Sequence, residues 1–330
     1  MRRAITTRLV SLILVVLALT FAVFLVQTLL PADPVRAFFG RNASPELIAQ
    51  KQAELGYDQP IFQQYFGFLG RVASGDLGNS LQTRRPVTSD LANFLPATFE
   101  LALVAAILAG LGGLVLGVSA QFGSAGPPIL RTLAVTLSSA PSFLLGILGI
   151  LFFYRRLDWL PAGGRSSIDD PPDITGFFLL DSILSLDPSA LWDGILHLIM
   201  PATILAVGPA VAIGRTLRAT LASTLETDHI RSVRAMGVSE RRIITRHGLR
   251  NSVGPVLSVA GLQVGLLIAG AVVVEVVFSW PGVGLYLSQA IRVSDFPAVV
   301  GVVLVLAITY VLVNAIVDIL QLAADPRQRT

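Results

Sequence analysis

The side chains best placed to do chemistry in this sequence are arginines, and they crowd into one stretch. Eight lie between Arg215 and Arg250, around the run Thr227-Asp228-His229-Ile230-Arg231-Ser232-Val233-Arg234-Ala235-Met236-Gly237-Val238-Ser239-Glu240-Arg241-Arg242. Thr227 or Asp228 can cap a short helix on which Ile230, Val233 and Met236 recur at threes along one face. Gly237 tolerates the left-handed conformation that ends a helix, and Ser239 with Glu240 can start the next. The predicted product is helix, glycine turn, helix: a basic projection carrying a small amphipathic helix, the shape that sits in a groove on another protein. A loop that only fixes membrane topology would account for the arginines, but it does not require that helix.

Elsewhere the sequence is poor in reactive groups. Three histidines and no cysteine give no metal constellation. No Ser-His-Asp set or carboxylate pair can be assigned, because the acids lie in loops without a partner base. A phosphate-binding loop needs Gly-Lys followed by Ser or Thr, yet the sole lysine, Lys51, lies between Gln50 and Gln52. No catalytic residue, metal or bound cofactor is therefore expected in this chain. Glu275 stands out as an acid within an apolar run, followed by Trp280-Pro281-Gly282, and an intramembrane acid is a candidate for a transport path or outer gate. Near an interface it can equally pair with an arginine or bond to the loop around Trp280. His197 reads either as a packing residue or as a ligand, and Gly110, Gly112, Gly113 and Gly117 as sites of close helix packing.

The elements that must position these residues are membrane spans. The chain has 330 residues, 53% hydrophobic and 14% charged, with a mean hydropathy of +0.73. That composition excludes a disordered chain or a disulfide scaffold, and it is far from an ordinary soluble enzyme. Of 24 basic residues all but Lys51 are arginines scattered through apolar sequence, so the net charge of +3 does not point to nucleic acid. Crossing a bilayer takes about 20 mostly apolar residues in a helix, because no backbone polar group can go unpaired in lipid. Six stretches qualify: Leu9 to Leu30, Leu101 to Ala120, Leu133 to Tyr154, Ile195 to Ile213 with Pro201 and Pro209 bending it, Val253 to Phe278, and Phe296 to Val317.

Arg2, Arg3 and Arg8 precede the first span, whose apolar run is too long for a cleaved signal peptide and reads as a signal-anchor. Six spans put both termini on one side. With the N-terminus, Gln121 to Thr132, Gly214 to Ser252 and the tail from Asp318 on that side, it holds 14 arginines and 5 acids; the other side holds 10 basic residues and 15 acids. The positive-inside rule then predicts cytoplasmic termini. Outside the spans, Ser44 can cap a helix that stops at Gly56, and Ile61, Tyr65, Phe68 and Leu69 form the apolar face of another before the turn Gly75-Asp76-Leu77-Gly78. Residues 155–194 read as an acidic loop, either a solvated cap or a docking surface, in which Pro171-Pro172 and Asp187-Pro188 break any long helix.

The basic segment resembles the cytoplasmic EAA loop of binding-protein-dependent ABC-importer permeases, specifically the B-type permease subunit of the dipeptide, oligopeptide and nickel family. Arg231, Arg234, Ala235, Gly237, Ser239, Arg241 and Arg242 match its Arg-x-x-Arg-Ala-x-Gly-x-Ser-x-Arg-Arg run, and His247 with Leu249-Arg250-Asn251 its continuation. Further matches follow in order: Leu30-Pro31-Ala32-Asp33-Pro34, Glu54 to Pro60, Gly75-Asp76-Leu77-Gly78-Asn79-Ser80, Leu95-Pro96-Ala97-Thr98, Pro141-Ser142-Phe143, Val274 to Gly284, and Asp325-Pro326-Arg327. The chain departs from the broad pattern at Arg231-Ser232-Val233, where Glu-Ala-Ala is usual, and at Leu249-Arg250, where Leu-Pro is usual; Leu180 to Asp193 matches none of these motifs.

The resemblance implies an all-α polytopic membrane protein of the type I importer permease fold with six transmembrane helices. Its parts would be a first span to residue 30, a periplasmic subdomain over 31–97, a five-helix core over 98–320 with a coupling loop at 218–252, and a cytoplasmic tail from 321. It implies an inner-membrane subunit that pairs with a homologous second permease, two cytoplasmic subunits holding ATP and Mg, and a periplasmic solute-binding protein, and that translocates peptides or similar solutes. Ile230, Arg231, Val233, Arg234, Ala235, Met236, Gly237, Ser239, Glu240, Arg241 and Arg242 would be the ATPase-coupling residues. The reading from residues alone leaves a rival open: an ion-coupled carrier or channel with no ATPase partners, which needs ionisable residues at mid-membrane.

Overall fold

The computed structural model describes residues 13–25, 44, 46, 50, 59–119, 128–169 and 171–324. The arginines at the N-terminus, the motif at Leu30 to Pro34, most of the helix expected from Ser44 to Gly56, and Asp325-Pro326-Arg327 lie outside the described residues. Within them the chain is all α, and the sole strand-like pairing is an isolated bridge between Asn79 and Pro86. The helices are α1 (Ile13–Leu25), α2 (Ile61–Ala73), α3 (Val87–Ser119), α4 (Pro128–Ser139), α5 (Ser142–Gly149), α6 (Phe178–Leu184), α7 (Pro188–Leu225), α8 (Asp228–Ala235), α9 (Glu240–Arg242), α10 (Leu249–Val277), α11 (Val283–Arg292) and α12 (Phe296–Ala324). Four stretches among the described residues are uninterrupted, long and apolar enough to cross a membrane: Val87–Ser119, Pro188–Leu225, Glu240–Val277 and Phe296–Val317.

The other two expected spans are helical but not in one described piece. Of Leu9 to Leu30, the described part is α1. The run from Leu133 to Tyr154 is broken, which corrects the continuous helix expected there. α4 ends at Ser139, Ala140-Pro141 is non-helical, and α5 restarts at Ser142 before passing into a π-helical turn over Ile150–Arg156. Pro141 has no N–H to give the preceding turn and biases Ala140 away from helix, so an uncharged run does not guarantee a straight one. Asp187-Pro188, expected to break a helix, separates α6 from α7 and also starts the latter: Asp187 caps α7, accepting from Ser189 N at 3.0 Å and Ala190 N at 3.1 Å, with Pro188 at the first position. α7 then runs for 38 residues, through both Pro201 and Pro209.

The chain divides into two compact units. The first is Met1–Leu95 with Leu285–Val311. There α2 lies on α1 through Tyr65, whose hydroxyl meets Thr20 Oγ1 at 2.9 Å, and through Phe68 against Phe24 at 5.8 Å between ring centroids. The Gly75 to Ser80 turn clamps the start of α12. Gly75 and Gly78 take positive φ, Asp76 Oδ1 accepts from Gly78 N, and Ser80 Oγ donates to the fully buried Asp295 at 2.5 Å. Asp90, also buried, accepts from Thr83 Oγ1 and from Tyr286, whose ring stacks on Phe94.

The second unit is Pro96–Gly284 with Leu312–Thr330. Its core joins Leu101, Ala105 and Ala109 of α3 to Leu198, Ala202 and Ala206 of α7 and Leu267, Ala271 and Val274 of α10. Small residues let the backbones approach: a Cβ on Gly113 would stand 2.5 Å from Ile213 Cγ2, one on Gly117 2.7 Å from Leu217, and one on Gly214 2.8 Å from Leu116. Gly110 is a correction to that expectation, since nothing lies within 4 Å of its Cβ position.

Candidate functional site

The basic segment folds as a compact elbow at the C-terminal end of α7. α8 starts after Thr227, whose backbone is extended (φ −68°, ψ 150°), although its hydroxyl donates back to Thr224 O rather than capping. Ile230 and Val233 turn inward and pack with Ile243, Leu225 and Val238, so the apolar face of α8 is spent on the chain's own elements. Met236, expected on that face, is instead 72% exposed. The helix ends at Ala235, and Met236 swings out as the chain enters the turn; Ile243 completes the seam in its place.

Gly237 makes that turn. Its φ is +78°, its N–H donates to Arg234 O at 3.0 Å, and no heavy atom lies within 4 Å of where a Cβ would be. The residue is fixed by backbone conformation alone, not by space. Arg234 reaches across the turn to grip Glu240 with Nε and with Nη2, the latter at 3.2 Å. That hydrogen bond and charge hold the Glu240 carboxyl below its ordinary range and push the Arg234 guanidinium up. Ser239 is extended ahead of α9, as an N-cap should be, without a side-chain capping bond. Arg231, Ala235, Arg241 and Arg242 are exposed, so what the elbow offers outward is guanidinium groups, Ala235 and the Met236 thioether.

A second constellation lies at the far end of α7 and α10, around Glu275. This side chain is fully buried. Its Oε1 accepts from Thr98 Oγ1 at 2.7 Å and its Oε2 from Gly284 N at 2.6 Å, while Thr98 Oγ1 accepts in turn from Val283 N at 2.8 Å. Trp280, 1% exposed, donates its indole N–H to Ala97 O at 2.9 Å. A Cβ on Gly282 would lie 2.4 Å from the Glu275 carboxyl, and one on Gly163 2.2 Å from Phe278 O. The Val274 to Gly284 segment is thus locked on Pro96-Ala97-Thr98, a rigid corner with no room at the carboxylate for a solute.

Polar clusters tie the loop after residue 157 to the helices. Glu100 of α3, 5% exposed, accepts from Arg165 at 2.7 and 3.1 Å and from Leu179 N at 2.7 Å, and Arg165 also donates to Gly176 O. Asp181 collects Ile174 N, Thr175 N, Gly176 N and Thr175 Oγ1. Burial pushes its pKa up, but those donors outweigh it and hold the carboxyl below the ordinary value. Ser167, His197 and Asp193 also come together, with Ser167 Oγ 3.2 Å from His197 Nε2 and His197 Nδ1 3.5 Å from Asp193 Oδ1. The nearer acceptor for that Nδ1 is the Asp193 carbonyl at 2.9 Å, and Asp193 Oδ2 is bonded to Ser166 Oγ and Ser167 N. The trio staples loop to helix.

The eleven residues expected to couple are therefore on one elbow, and Glu275, Trp280, Pro281 and Gly282 on one corner. Sequence reasoning missed the corner's other half. Thr98 and Ala97 lie about 180 positions from their partners, and the usable signal was that both partners fall inside motifs already singled out, Leu95 to Thr98 and Val274 to Gly284. Glu100, Arg165, Asp181 and Asp193 carried no such signal.

Fold and site together describe a polytopic α-helical membrane subunit whose buried polar groups are structural and whose exposed chemistry is a basic elbow. Residues 103–330 match the family model for the binding-protein-dependent transport system inner membrane component, and residues 1–102 the N-terminal model of the same transport systems. The chain is 41% identical to the di/tripeptide transport system permease protein DppB of Pseudomonas aeruginosa, covering 94% of each chain. It is 39% identical to the probable D,D-dipeptide transport system permease protein DdpB of Escherichia coli over 96% of this chain and 94% of that one. With the glutathione transport system permease protein GsiC of Salmonella typhi the figures are 36%, 98% and 97%. This protein belongs to the family of binding-protein-dependent transport system inner membrane components. It is a transport subunit, not an enzyme.

Proposed function

We propose that this chain is one permease of an ATP-driven importer of di- or tripeptide-sized solutes. It works beside a homologous second permease, two ATP-binding subunits that hold ATP and Mg, and a solute-binding protein outside the membrane. The excess of arginine at the elbow end supports the orientation with that end and both termini in the cytoplasm. ATP hydrolysis by the partners moves α8, and the Ile230, Val233 and Ile243 seam joins α8 to Leu225 at the end of α7 and to the start of the Glu240–Val277 stretch that continues into α10, so the push rocks packed spans between two access states. Arg231, Arg234, Ala235, Met236, Gly237, Ser239, Glu240, Arg241 and Arg242 are the grip, while Glu275, Trp280, Pro281 and Gly282 stiffen the outer end instead of touching solute.

One observation carries this reading above others: an eight-residue helix with its apolar face anchored inward and an unhindered glycine turn at its tip, leaving Met236 72% exposed. The chain contains no cysteine, so Met236→Cys places a single thiol at that tip. A short thiol-to-amine cross-linker should join it to an ATP-binding subunit expressed with it, while a thiol at Trp192, near the other end of α7, stays unlinked. Cross-linking from Trp192→Cys and none from Met236→Cys would reverse the proposed orientation and grip.

A further inference from the structure

We infer that the cavity bordered by Gln263 is this chain's share of the solute path, and that the Gln263 amide hydrogen-bonds the backbone of the passing peptide. This rests on the permease reading above and adds the contact that reading leaves open. The cavity encloses about 370 Å³ among α4, α5, α7 and α10, and falls in the range of sites that take small molecules. It borders the Pro141 break at Ala140 and Ser142, Gly208-Pro209 midway along α7, and Gly270 of α10. Pro209 has no N–H, so the Leu205 carbonyl on the cavity wall lacks its regular donor four residues on.

Gln263 stands within the apolar Glu240–Val277 span, where an unpaired amide in hydrocarbon costs several kcal/mol. Its amide makes no hydrogen bond to another described residue. Water and a solute amide in the cavity supply what lipid does not. Ser138 and Ser142 add hydroxyls to the wall, and no acidic or basic side chain among the described residues lines it. A transit site needs that chemistry: neutral donors and acceptors that replace the hydration of a peptide bond, and no fixed charge to trap a terminal ammonium or carboxylate.

The absence of native cysteine makes the test direct, with the chain expressed beside its partner subunits. Gln263→Cys, Ser142→Cys and the neighbouring Leu262→Cys, which is 55% exposed and outside the cavity, are treated with a membrane-impermeant methanethiosulfonate during ATP turnover. The first two should react at least about tenfold faster, because only a thiol in water ionises to the reactive thiolate. Excess L-alanyl-L-alanine with the binding protein should slow them. Gln263→Leu, close in volume and lipid-compatible, should keep ATP hydrolysis and lose about tenfold in uptake of labelled L-alanyl-L-alanine, the worth of one good hydrogen bond. Equal labelling at 263 and 262, or parental uptake by Gln263→Leu, overturns the inference while leaving the permease reading intact. Uptake by the parent without ATP overturns both.

Discussion

Substitution at Gly237 separates backbone conformation from side-chain size with unusual clarity, because φ is +78° and nothing lies within 4 Å of the Cβ position. A residue placed there meets no steric wall. It meets only the left-handed penalty, about 1–2 kcal/mol for an ordinary L-residue, less for Asn and more for a β-branched one. A penalty of 1–2 kcal/mol multiplies the open fraction of the elbow by about 5 to 30. Amide hydrogen exchange across residues 228–243 should therefore accelerate by about that factor in Gly237→Ala and equally in Gly237→Phe, by more in Gly237→Val, and by little in Gly237→Asn. ATP-driven uptake should fall in the same order, with membrane insertion unchanged. If Phe is much worse than Ala, the turn is crowded by a partner at rest and size decides. If Val exchanges like the parent, the elbow does not depend on this turn.

Glu275→Leu leaves the Thr98 hydroxyl and the Gly284 N–H without their carboxylate, and at about 1.5–3 kcal/mol for each charge-assisted bond it should cost about 3–5 kcal/mol, read as a large fall in Tm in detergent. Gly282→Ala should also lower Tm, by a clash instead of a lost bond, its Cβ standing 2.4 Å from that carboxyl, and parental Tm in both would show the corner is not rigid. Ile230→Ala empties part of the seam under α8 and should destabilise the elbow by about 2–5 kcal/mol, visible as protease cleavage between residues 228 and 243 that the parent resists. Asp181 has a folded pKa below its ordinary 3.8, so its contribution is present above 3.8 and is lost as pH falls through the lower folded value. Proteolysis of the 157–187 loop should rise as the medium is acidified below that point, and Asp181→Asn should show the same cleavage already at pH 7.

What the sequence made legible is what depends on neighbours in sequence. The glycine turn at 237, the two faces of α8 and the apolar lengths of the spans follow from local spacing, and the Gly112 to Gly117 stripe meets α7 as expected, from Gly112 onward. Met236 was misread because a period of three holds only while the helix continues, and it stops one residue earlier. The broken span at Pro141 was misread because hydropathy measures length, not dihedral freedom. The buried polar clusters stayed invisible for a different reason: Glu100 meets Arg165 65 positions away, Tyr286 meets Asp90 at 196 and Asp295 meets Ser80 at 215. Such pairs are set by how helices pack, and nothing in either local sequence names the other.

The central claim is that this chain conducts but does not drive. Vesicles reconstituted with both permeases, the ATP-binding subunits and the binding protein should accumulate labelled L-alanyl-L-alanine when ATP is supplied on the elbow side. The same vesicles lacking the ATP-binding subunits should accumulate none under any ion gradient. Accumulation by the permeases alone on a proton or sodium gradient would contradict the account.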